Sequence, residues 1–153
     1  MSDYSNFKYF YPPNARTQEQ LDIMVRLEAE GKDSMAPENI EQEILFQTEY
    51  WHVSKNRFPY DGAEQQFLIV AVPAIYRIEE MPAEMWADLQ QIWYRLMNEY
   101  HMTGGAFFMR FGDPSRSGAS LTRLHAHLIM PQEGEKVRPP IGGKKELKEG
   151  LHL

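Results

Sequence analysis

Between Met85 and Met97 the apolar residues Met85, Leu89, Ile92, Trp93, Leu96 and Met97 recur at intervals of three and four. That spacing gives an α-helix one apolar face, and such a helix must lie against a second layer. Glu79, Glu80 and Pro82 mark its start, and the pattern ends near Tyr100. The second layer is read as strands. ILFQTEYWHVSKN (44–56) is β-prone, and FLIVAV (67–72) is a continuous apolar run after the loop Pro59 to Gln65. AFFMRF (106–111) and LTRLHAHLIM (121–130) flank the polar loop GDPSRSGAS. Near the N-terminus, Thr17 and Gln20 are spaced as a capping box, and Leu21, Met24, Val25 and Glu28 carry a first helix to Gly31. Helix, strands, helix, strands predicts an α+β fold with an antiparallel sheet.

At 153 residues the chain is expected to form a single domain, with a core at about 17–131. The aromatic, Pro-rich residues 1–16 read as an extended arm on the domain or a partner. Charge, Gly and Pro dominate 132–153, which predicts a flexible tail. A net charge of −6 argues against a nucleic-acid polymer as partner. No run approaches the roughly 20 apolar residues of a membrane span, and MSDYSNFKYF lacks a signal-peptide core, so a cytoplasmic location is expected. With no cysteine, only His and carboxylates could ligate a metal.

Side chains alternate along a strand. In LTRLHAHLIM this puts Leu124, Ala126, Leu128 and Met130 on one side, toward the core, and Leu121, Arg123, His125, His127 and Ile129 on the other. A cation and two imidazoles, about 6 to 7 Å apart in succession, follow a Gly/Ser loop whose amides can face an anion, a set that suits phosphate. An imidazole nitrogen can attack phosphorus while the other ring nitrogen, bonded to a carbonyl, fixes the tautomer; His125 is the candidate nucleophile. An H-x-H pair by itself is equally a surface pairing or a weak metal site.

SGASL followed by RLHAHLIMP resembles, without a gap, the signature of the histidine triad (HIT) family, with Arg123 at the first triad position, His125 at the central one and His127 at the third. NRFPY (56–60) and FLIVAVP (67–73) resemble that family's Asn-x-x-Pro loop and Pro-ending strand, so the likeness spans about 31–131. It implies a five-stranded antiparallel sheet with a long helix, a homodimer and a small-molecule nucleotide substrate. It assigns His125 as the catalytic nucleophile toward an α-phosphate and His127 as a contact to the same phosphate. It further assigns Gly118 and Ser120 to phosphate binding, Asn56 to the ribose and Arg123 to the substrate's charge.

Many HIT proteins hold a structural zinc through two cysteines, a strand-end His and the first triad His. Here Asp33, Ala36, Tyr76 and Arg123 stand at or near those positions, which implies a metal site lost as a unit, with no metal and no cofactor in the scheme. Ala119 and Gly112 depart from residues common in hydrolase members. Two alternatives therefore stand beside a hydrolase or nucleotidyl transferase: a catalytically weak nucleotide-binding or regulatory module, and a diadenosine polyphosphate phosphorylase with phosphate as acceptor. His52, Trp86, Trp93 and the group Lys144, Lys145 and Lys148 are read as packing or surface residues.

Overall fold

The computed structural model describes residues 4–153. Five strands, β1 (Phe46–Gln47), β2 (Trp51–Lys55), β3 (Ala63–Ala71), β4 (Ala106–Met109) and β5 (His125–Pro131), form one sheet in the order β1-β2-β3-β5-β4. Every pairing is antiparallel. The α+β expectation and the element order agree with this architecture. The β-prone run 44–56 is broken at Tyr50, where Thr48 Oγ1 accepts from the Tyr50 and Trp51 amides and turns β1 into β2.

Helix α2 (Ala83–Glu99) covers one face of the sheet. Its Met85, Leu89, Ile92 and Leu96 pack on Trp51, Val53, Phe67, Ile69, Ala71, Ala126 and Leu128, the odd positions of β2 and β3 and the even ones of β5. Because side chains alternate, the other face receives His52, Ser54, Gln66, Leu68, Val70, His125 and His127, all buried. One face is thus a dry core, and the other carries polar groups under a cover of loops. Trp93 stacks on Phe107 at 4.8 Å, whereas Trp86 is exposed.

The loops come from the N-terminal half and both chain ends. Helix α1 (Gln18–Ala29) begins with Thr17 accepting from the Gln20 amide, and the Gln20 side chain returns to the Arg16 amide. Glu28, placed by spacing on the helix's packing face, uses its carboxylate to accept from the Lys8 and Tyr9 amides, which fastens the arm. The arm then runs beside the chain entering β5: Phe10 bridges Leu121, the Tyr11 amide donates to the Ser120 carbonyl and the Thr122 amide to that of Tyr9.

The flexible tail expected over 132–153 is corrected in its last dozen residues. Leu147 and Leu151 pack on the cluster of Phe10, Ala15, Leu21 and Met24. The Gly143 amide donates to the Ser115 carbonyl, the Lys144 amide to Asn14 Oδ1, and the Tyr11 hydroxyl to the Lys144 carbonyl. Composition hides this docking because, apart from Leu147, Leu151 and the Lys148 ammonium that donates to the Arg16 carbonyl, the segment's backbone groups make it. Among the described residues no helix is long and apolar enough to cross a membrane.

Candidate active site

On the polar face, neighbours in register make rows: His52, Val70 and His125 lie side by side, as do Ser54, Leu68, His127 and Phe108. The pairing of β4 with β5 ends at Met109 opposite Ala126, so the next residue, Arg110, falls beside His125. A cleft of about 120 Å³ opens there, walled by Arg110, Ser117, Ala119, Leu121, Arg123 and His125 among others. That volume holds a phosphate-sized group; a whole nucleotide needs roughly 300 Å³ or more, so a nucleoside must extend over the open side.

The hydrogen bonds of the two imidazoles decide their tautomers. His125 Nδ1 lies 2.8 Å from the carbonyl oxygen of Arg123, which can only accept, so Nδ1 carries the proton and Nε2 the lone pair. His127 is set the other way. Gln66 Oε1 accepts from the Tyr60 amide at 2.8 Å, which turns the Gln66 NH2 toward His127 Nδ1 at 3.3 Å. That amide group donates, so His127 Nδ1 accepts and Nε2 bears the proton. Among the described residues nothing is hydrogen-bonded to either Nε2. The rings meet edge to face at 5.4 Å, and Phe108 stacks on His127 at 4.7 Å.

Burial pushes the His125 imidazole below its ordinary value, with the Arg110 charge acting in the same direction. His127 is pushed down to about 3, first by burial and then by His125 and Arg110. At neutral pH the site therefore presents a bare nitrogen at position 125 and an N–H donor at 127, with no charge on either ring.

Arg123 borders the cleft and is also tied into a buried network. Its Nε donates to Asp33 Oδ2 at 2.7 Å, its Nη1 to the carbonyls of Ala71, Val72 and Pro73, and both ends of the ion pair are buried. The Tyr76 hydroxyl donates to the same Asp33 oxygen at 3.1 Å and the Met35 amide to the other. Burial, followed by the charge of Asp33, raises the Tyr76 phenol to about 12, which keeps it a donor. A carboxylate, a phenol, a methyl and a guanidinium do not fit zinc, and the guanidinium is itself the cation of this cluster. Arg123 is thus the hub of a buried network joining the 33–36 segment to the end of β3. His52, also buried, reinforces it by donating from Nε2 to the Met35 carbonyl.

The other expected residues are placed as follows. Ser120 lies on the loop, its carbonyl taken by the arm, and the serine that walls the cleft is Ser117. Gly118 caps helix α3 (Pro114–Ser117) with φ +83°, and a Cβ there would collide with the Gly142 carbonyl and crowd Arg110 Nη1. Its bareness accommodates the docked C-terminal segment. Asn56 Oδ1 accepts from the Phe58 amide, shaping the loop that delivers Tyr60, and the Asn56 amide donates to the Gln66 carbonyl. Asn56 is thus beside Gln66 and outside the cleft wall. Gln66 and Arg110 were not read from the sequence. Extending the alternation of β4 and β3 onto the histidine face would have located both.

No family model matches the chain, and no curated protein matches it. Solved structures do. The chain is similar to the HIT family hydrolase from Clostridium thermocellum, at 17% identity and TM-score 0.54, over 65% of this chain and 87% of that one. It is similar to a histidine triad protein from Clostridium difficile, at 16% and 0.53, over 70% and 91%. It is also similar to the diadenosine triphosphate hydrolase of Plasmodium falciparum, at 17% and 0.52, over 65% and 67%. At such identities the similarity establishes architecture: this is the HIT-like fold.

Two predictions follow from these contacts. Asp33→Asn or Arg123→Met alone should cost about 3–5 kcal/mol in urea unfolding, because each strands a buried partner. The double variant should cost less than the sum by at least about 1 kcal/mol, and strictly additive losses would contradict the pair. Second, unfolded His127 binds its proton near pH 6.5 and the folded residue only near 3, so stability should fall as pH drops through that window. His127→Gln should flatten the fall by up to about 1.4 kcal/mol per pH unit, read from urea midpoints at pH 7 and 5; an unchanged slope refutes the assignment.

Proposed function

We propose that the chain is a nucleotide hydrolase or nucleotidyl transferase acting at the α-phosphate of a nucleoside phosphate or dinucleoside polyphosphate. The observation that carries this reading is a pair of neutral imidazoles fixed in opposite tautomers, His125 in the wall of a phosphate-sized cleft and His127 against it at 5.4 Å. The Nε2 lone pair of His125 attacks phosphorus, forming an N–P bond while the bond to the leaving oxygen breaks. His127 donates its Nε2–H to a non-bridging oxygen and stabilises the developing charge. Water, or an oxygen of inorganic phosphate, then attacks the same phosphorus; the N–P electrons return to Nε2, and the nucleotide leaves.

Neutral His127 has no proton to surrender without becoming an anion, so it is a donor of hydrogen bonds and a poor general acid. This favours leaving groups that depart unprotonated, such as phosphate or a nucleotide, over amines. Ala119 in the cleft wall supplies no side-chain group to orient water, which supports phosphate as the alternative acceptor. The binding-module alternative would keep the cleft and lack turnover. A homodimer is part of the proposal: β4 is an edge strand, and Trp86, Tyr94 and Met97 are exposed on α2. The setting is proposed to be cytoplasmic.

The test is product analysis after incubation with diadenosine tetraphosphate, with and without inorganic phosphate, beside His125→Ala. Cleavage should fall at least about 10³-fold in the variant while its melting temperature is preserved. Turnover undiminished in His125→Ala would falsify the mechanism.

A further inference from the structure

We propose that Arg110 is the phosphate-binding cation of the cleft, a role that rests on the phosphate chemistry proposed above. Two guanidinium groups border this cleft, and their surroundings differ. Arg123 is neutralised by Asp33 at 2.7 Å. Arg110 is held only by neutral acceptors: Nη1 donates to the Ser117 carbonyl at 2.5 Å and Nη2 to the Tyr60 hydroxyl at 3.2 Å. Among the described residues it has no carboxylate partner.

The position is built. Arg110 continues the register of β4 to a place beside His125, and its guanidinium lies over Phe108, 5.3 Å from the ring centre, the same ring that stacks on His127. Its Nη1 is 3.1 Å from where a Cβ on Gly118 would sit, so it reaches the loop that the sequence marks for phosphate. A half-buried positive charge without a counter-ion, beside two uncharged imidazoles, is compensated when an oxyanion enters. The guanidinium holds non-bridging oxygens, while His125 keeps access to phosphorus and His127 donates to a further oxygen. Arg110 therefore selects ligands by anionic charge, and a neutral phosphoryl ester is excluded.

Thermal melts with and without inorganic phosphate, and with and without AMP, test this in the wild type, Arg110→Gln and Arg110→Lys. The melting temperature without ligand reports the clasp on Ser117 and Tyr60; the ligand-induced rise reports anion binding. The expected result is a rise in the wild type, a rise at least halved in Arg110→Lys and lost in Arg110→Gln, corresponding to an affinity loss of about tenfold or more. An equal rise in wild type and Arg110→Gln, or no rise with either ligand in the wild type, overturns the proposal. A chain that binds phosphate through Arg110 but cleaves no nucleotide would refute the enzymatic reading alone.

Discussion

Arg123 acts on the site through both of its ends. Its guanidinium ties Asp33, and through it Tyr76 and the 33–36 segment, to the carbonyls that terminate β3. Its own carbonyl accepts the Nδ1 proton of His125. Fixing the side chain therefore fixes the backbone that chooses the tautomer of His125. A buried pair such as this one is costly to desolvate, and the carbonyls and Tyr76 satisfy the groups that would otherwise be stranded. An internal ion pair thereby holds the 33–36 segment against the end of β3.

The two faces of the sheet divide the labour. Against α2, β2, β3 and β5 present a purely apolar face on top of their shared backbone pairing. On the opposite face the same strands carry Gln66, His125 and His127 in adjacent rows, so the imidazoles stand on that packed sheet while their ring nitrogens are set by single hydrogen bonds. Burial disfavours the charged form of both rings, and the Arg110 charge acts in the same direction. On the proposed reading, an anion would enter without a histidine first being protonated.

Much of this was legible in the sequence, for physical reasons. The three-four spacing from Met85 to Leu96 and the apolar Leu124, Ala126 and Leu128 identify the core face, because burial imposes period on composition. The H-x-H pair marks two imidazoles that strand alternation puts on one face, where the structure has them. The sequence does not separate two arginines of identical chemistry: Asp33 lies 90 residues from Arg123, and their pairing exists only in three dimensions. Arg110 is inconspicuous inside the apolar run AFFMRF. The Gly-rich C-terminal segment looked solvent-borne because its anchors are amides and carbonyls, which composition does not display.

The central claim is that the two imidazoles are neutral and oppositely protonated before any ligand arrives. Long-range proton–nitrogen correlation NMR of histidine-labelled protein at pH 7 reads both states directly, with His125→Ala and His127→Gln to assign the signals. The account predicts a protonated Nδ1 and bare Nε2 on His125, and a bare Nδ1 and protonated Nε2 on His127. An imidazolium at either residue, or the same tautomer on both, would contradict it.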